Sequence, residues 1–185
     1  DKGFFTPEQT EQILSCGAKY RLVPKIHANE LAVSGGVQVG VRCKALSVDH
    51  LEQTTKAEID VLKGSATMPT MLPGASFFLG MPYGKAKDFI ASGLGVDLAS
   101  DYNPSSSPNG DMRFVMALGC IKMKLTPSQA FNACTINGAY AMGISNLYGS
   151  ISVGKRGSVI ITEKISSLDI VPYNYNSPWI YRVIY

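Results

Sequence analysis

Gly95-Val96-Asp97-Leu98-Ala99-Ser100-Asp101-Tyr102-Asn103-Pro104-Ser105-Ser106-Ser107-Pro108 is the stretch on which the fold turns. Its first half has the period of a strand, with Val96 and Leu98 on one face and Asp97, Ala99 and Asp101 on the other. The strand ends on a carboxylate and runs into a turn. Asn103, Pro104 and three serines favour that turn and present amide and hydroxyl groups that suit a polar or anionic ligand. A solvated turn that begins with Asp is the plain alternative.

Working outward, the same unit recurs upstream. Val23-Pro24-Lys25-Ile26-His27 is a short strand that stops at Ala28-Asn29-Glu30, and Ala45-Leu46-Ser47-Val48-Asp49-His50 is another, ending on the only other histidine. Ala66 to Leu72 is a third, closed by Pro73-Gly74. Helices are expected between them: from Thr6, which with Pro7 and Gln9 makes a capping box, to about Tyr20; over Val37 to Cys43; near Thr55 to Lys63; and over Gly84 to Ser92. Beyond the serine turn, helices are expected over Asp111 to Met123, from Thr126-Pro127, and over Thr135 to Met142. Short apolar strands alternating with helices, without a hairpin signal, predict an α/β protein with a parallel sheet. From Leu147 the texture changes, and Gly149 to Thr162 reads as a turn-separated pair of β runs. The expected division is 1–147 and 148–185.

Composition narrows the function classes. The chain has 185 residues, 45% hydrophobic and 17% charged, enough for one core. The net charge of +3 is spread without a basic run, so nucleic acid is not indicated. No apolar segment reaches membrane length. Cys16, Cys43, Cys120 and Cys134 are scattered without metal-type spacing and are read as reduced, buried thiols of a cytoplasmic protein. The chain opens at Asp1 without Met and ends on an apolar strand, which is read as a piece of something longer.

Three strands finish with a side chain that binds metal or moves a proton: His27, His50 and Asp101. In a parallel barrel the working site is built at the carboxyl ends of the strands. Each histidine alone is more ordinary as a core residue; their equivalent positions in successive units point to a shared site. Zinc, iron and manganese all accept such donors. Glu30, three residues past His27, is placed to act as general acid or base, with an exposed loop glutamate as the alternative. Lys25 and Asp97, one layer deeper, are expected to pair.

Three segments together resemble the imidazolonepropionase family of metal-dependent amidohydrolases: Lys25-Ile26-His27-Ala28-Asn29-Glu30-Leu31, Ser47-Val48-Asp49-His50-Leu51-Glu52 and Ser100-Asp101-Tyr102-Asn103-Pro104. Leu72-Pro73-Gly74-Ala75, the Thr126-Pro127 helix with Thr135-Ile136-Asn137-Gly138-Ala139, and the Gly149-to-Gly157 turn also fit. The resemblance implies the C-terminal half of a distorted (β/α)8 TIM-like barrel, with strands of a small β-sandwich. It implies hydrolysis of the cyclic amide of imidazolone propionate to formiminoglutamate, in histidine degradation. By resemblance, His27 and Asp101 are ligands of one zinc or iron ion. His50 polarises the ring carbonyl or steadies the oxyanion, Asp101 takes a proton from water, and Glu30 binds substrate and passes a proton to the leaving nitrogen. Asn103, Ser105 and Ser106 form the substrate-binding loop.

The sequence departs from the family in two places: Ser105 stands where Gly is usual, and Asn29 where Asp is commoner. The superfamily's His-x-His pair is nowhere in the chain. The resemblance therefore implies a fragment whose partners are the missing N-terminal half of the same enzyme and a small-molecule substrate, imidazolone propionate, with a homodimer when complete. Another cyclic amidohydrolase or a deaminase, or an inactive barrel half serving as a structural subunit, are the other readings.

Overall fold

A computed structural model describes residues 1–185. Helix α1 (Pro7–Lys19) starts with the expected capping box: Thr6 Oγ1 accepts from Gln9 N at 3.2 Å, and Gln9 Oε1 accepts from Thr6 N at 3.0 Å. There follow β1 (Ile26–Ala28), α2 (Gly36–Arg42), β2 (Ser47–His50), α3 (Lys56–Leu62), β3 (Met68–Met71), α4 (Pro73–Leu79), α5 (Ala86–Ala91) and β4 (Asp97–Leu98). The four strands form one parallel sheet in the order β1-β2-β3-β4. After β4 come α6 (Met112–Ile121), α7 (Pro127–Asn132), a π-helical turn over Ala133–Asn137, α8 (Gly138–Ala141), β5 (Val159–Thr162), α9 (Ile170–Tyr173) and β6 (Ile180–Ile184). No helix is long and apolar enough to cross a membrane.

One sheet face carries the core. Ile26, Val48 and Leu98 pack against Val37 and Val39 of α2, Ile59 and Leu62 of α3, Phe89 of α5 and Val115 of α6. Helix and sheet approach closely at two glycines. A Cβ on Gly40 would sit 2.6 Å from Val48 Cγ2, and one on Gly119 would sit 2.7 Å from Leu98 Cδ1. Val171, Ile165, Ile170 and Trp179 join this same core, so the chain beyond Tyr148 packs onto the α/β portion as well as forming β5 and β6.

The other face is polar. Strand register places His27, Asp49, Thr70 and Asp97 in one row across the sheet. The π turn and α8 are tied to the amino ends of the strands: Asn137 Nδ2 donates to Val96 O at 2.7 Å, Tyr140 Oη to Ala66 O at 2.8 Å and Lys25 Nζ to Ala141 O at 3.2 Å. The carboxyl ends are left for the candidate site.

Several expectations are corrected. Lys25 does not pair with Asp97; its ammonium is spent on the Ala141 carbonyl, and Asp97 accepts from Thr70 Oγ1 at 2.9 Å. Pro73-Gly74 ends the third extended segment as expected, but does so by opening α4, a helix the sequence reading did not include, because Pro at the first helical position costs no hydrogen bond. The first strand begins only at Ile26, since Leu22 and Val23 are exposed. Gly149 to Thr162 yields one strand, not two: Ile151 and Val153 are fully exposed, and β5 pairs antiparallel with the C-terminal β6. The helix expected over Thr135 to Met142 is π-helical in its first half. All four cysteines are free, but Cys16 is exposed and the other three only half-buried.

Two measurements follow from this packing. Gly40→Ala forces a methyl group into Val48 and is expected to cost about 1–3 kcal/mol by overpacking, read as a lower urea midpoint. Burial pushes the Asp97 carboxyl from 3.8 up to about 6, against the Thr70 hydroxyl and the charge of Lys25. The folded state then holds a proton that the unfolded chain releases, so this contribution is full below about pH 4 and is lost as pH rises through about 6. The loss is on the order of 3 kcal/mol for two pH units, and Asp97→Asn should flatten it in urea titrations run across that range.

Candidate active site

The strand ends supply the site through a break in regular strand geometry. In an unbroken pleat His50, paired with Ala28, shares the helix-facing side with Val48. His50 and Leu51 instead have positive φ, +86° and +70°. The imidazole is thereby turned back across the sheet, and its ring centroid lies 4.0 Å from that of His27. Asn29 (φ +61°) and Asp101 (φ +51°) make the same left-handed step after β1 and β4. Backbone bonds hold the kinks: Leu51 N donates to Ala28 O at 3.2 Å and Gln53 N to Asn29 O at 2.8 Å. Strain of this kind in non-glycine residues gathers at functional sites.

Ligand atoms of His27, Glu30 and His50 lie within 4.8 Å of one another. Glu30 Oε2 is 3.0 Å from His27 Nε2, and Glu30 Oε1 is 3.9 Å from His50 Nδ1. His27 is half-exposed at the rim while His50 is buried. Asp101 stands outside this close group, at the exit of β4. Its carboxyl is still close enough for the charges of His50 and His27 to oppose the upward push of burial, which wins.

Electrostatics separate the two imidazoles. Burial and the neighbouring His50 lower the pKa of His27, against Glu30. Burial acts the same way on His50, but Glu52, Glu30 and Asp101 outweigh it and raise that pKa. His50 is therefore the better proton holder of the pair.

The serine turn is built around Asn103. Its Oδ1 accepts from Ser105 N at 3.0 Å, Ser105 Oγ at 2.8 Å and Ser106 N at 2.8 Å, and its Nδ2 donates to Asp101 O at 2.6 Å. Asn103 thus shapes the loop and ties it to Asp101, leaving the exposed Ser105 and half-buried Ser106 on its outside. Ser105 has no positive φ, so a glycine is not needed there in this geometry. Gly74 is needed: a Cβ on it would meet Ser107 Oγ at 2.7 Å. Asn29 is fully buried and suits its left-handed backbone, since asparagine tolerates that conformation better than most residues.

Two residues of the site escaped sequence reasoning. Asp1 Oδ2 accepts from Glu30 N at 2.6 Å and Leu31 N at 3.1 Å, and lies 3.6 Å from His27 Nε2. Nothing in the sequence marks that contact across almost thirty positions. Glu52 is buried, with Oε2 3.5 Å from His50 Nδ1 and Oε1 accepting from Ser76 Oγ at 3.1 Å. Its signal was present: an acid two residues after a strand-ending histidine.

Residues 32–184 match the amidohydrolase family. The chain is 50% identical over 184 residues to an imidazolonepropionase of Flavobacterium johnsoniae, covering all of this chain and 45% of that protein, and 36% identical to one of Thermoanaerobacter pseudethanolicus, covering 44% of it. It thus spans under half the length of the curated relatives it matches. Among solved structures it is similar to Escherichia coli guanine deaminase, with TM-score 0.78 at 17% identity over 97% of this chain and 51% of that one. It is also similar to an adenosine deaminase from Xanthomonas campestris with bound zinc, with TM-score 0.70 at 19% identity over 85% and 40%. At such identities these likenesses speak for the fold, and the four-stranded parallel sheet is part of that fold's barrel. With the family match covering most of its length, the chain belongs to the amidohydrolase family.

Proposed function

We propose that the chain is the C-terminal part of an imidazolonepropionase, which hydrolyses the cyclic amide C–N bond of imidazolone propionate to give formiminoglutamate in the cytoplasm. The observation that carries this reading is the meeting of His27, Glu30 and His50 at the strand ends, in a chain half identical to an imidazolonepropionase along its full length. On the same reading, residues 1–147 are the second half of the barrel, 148–185 belong to the accessory β-sandwich, and the complete protein is a homodimer.

The donor set fits a metal: an accessible imidazole nitrogen with carboxylates beside it, at the strand ends where strain has gathered them. His27 and Asp101 would hold a zinc or iron ion, completed by ligands from outside this chain. When bound, the ion supplies Lewis acidity that makes water nucleophilic near neutral pH. Asp101, its carboxyl raised by burial, accepts the proton of the attacking water. Glu30, within 3.0 Å of His27 and 3.9 Å of His50, delivers a proton to the ring nitrogen as the C–N bond breaks. His50, raised by its acidic neighbours, offers a hydrogen bond to the carbonyl oxygen as charge develops there. The Asn103 turn, with Ser105 and Ser106, lies beside Asp101 to receive the substrate's carboxylate.

In the complete protein Asp101→Asn should lower the rate of imidazolone propionate hydrolysis by at least about 100-fold, the scale of a lost proton-transfer group. Wild-type rates would remove Asp101 from the mechanism. Metal analysis of the same preparations should find one zinc or iron per chain in the wild type and less in His27→Ala.

A further inference from the structure

We propose that Glu52 is a positioning residue for His50: it accepts the Nδ1 hydrogen and so fixes the ring with Nε2 as the nitrogen that serves the reaction. The inference rests on the role given to His50 above.

Among the buried side-chain atoms that lack a hydrogen-bond partner, His50 Nδ1 and Glu52 Oε2 face each other at 3.5 Å. That is a few tenths of an ångström beyond a normal N–H···O bond. Leaving a buried carboxylate oxygen and a ring nitrogen both unsatisfied is costly, and a small approach satisfies both. The Glu52 side chain is only 2% exposed, and its other oxygen is already held by Ser76 Oγ at 3.1 Å. Ser76 sits in the first turns of α4, so the helix begun by Pro73 anchors the carboxylate from behind. Glu30 is the other acid within 4.0 Å of Nδ1, and at 3.9 Å it is the farther one. The left-handed steps at His50 and Leu51 lie between the two partners and turn them toward each other. Because the two imidazole nitrogens are distinct, a bond at one decides what the other can do.

The test is a nitrogen-15 NMR measurement on the complete protein, with the His50 ring signals identified by their loss in His50→Gln. The expected wild-type result is a hydrogen-bearing Nδ1. In Glu52→Leu the ring loses its anchor and the Nδ1 hydrogen signal should weaken or vanish, while kcat falls about tenfold or more and KM changes far less. Glu52→Gln keeps an acceptor oxygen and should retain the Nδ1 hydrogen and most of kcat. Ser76→Ala loosens the carboxylate without removing it and should weaken the Nδ1 signal even where Glu52→Leu does not fold. A wild-type His50 with its only hydrogen on Nε2 overturns the proposal. So do ring signals unchanged in both Glu52→Leu and Ser76→Ala. If the complete protein does not hydrolyse imidazolone propionate, the functional reading fails, while the ring measurement still decides the role of Glu52.

Discussion

The candidate site depends on left-handed backbone at the carboxyl ends of parallel strands. Asn29, His50, Leu51 and Asp101 all have positive φ, and none is glycine. Each such residue costs about 1–2 kcal/mol relative to ordinary backbone. The surrounding structure bears that cost through the hydrogen bonds from Leu51 and Gln53 to Ala28 and Asn29, and through the close helix layer behind the sheet. Relaxing the kink at His50 would return its imidazole to the helix-facing side, away from His27 and Glu30.

The molecule divides its labour between the two ends of the strands. At the amino ends, Lys25, Ala66 and Val96 are tied to the π turn and α8, and these bonds serve stability. At the carboxyl ends, histidines and carboxylates are held close together with little to satisfy them. Between lies the buried row containing Thr70 and Asp97, where a carboxyl raised to about 6 is tolerated because a hydroxyl meets it. Two of the buried polar atoms that lack a partner, His50 Nδ1 and Glu52 Oε2, lie at the site, where unsatisfied groups are useful for chemistry.

In the serine turn the Asn103 side chain does structural work. All its polar capacity goes to the loop and to the Asp101 carbonyl. Gly74 lies beneath, with no room for a methyl group. The loop and the carboxylate that precedes it are therefore one mechanical unit, set by α4 on one side and β4 on the other.

The sequence by itself determined the alternation of strands and helices, the capping boxes, and the placing of His27, His50 and Asp101 at strand ends, because these follow from local periodicity and turn chemistry. It also marked Glu30, by its nearness to His27. It missed the helix that begins at Pro73, since a Pro-Gly pair after a strand is equally ordinary in a loop, and misjudged the runs after Gly149, where β5 finds its partner only at the C-terminus. Only the tertiary structure decided that His50 turns back across the sheet, that Lys25 goes to Ala141 instead of Asp97, and that Asp1 and Glu52 join the site. The reason is physical: these outcomes rest on contacts between distant segments and on backbone strain that such contacts sustain, and neither is written in local sequence pattern.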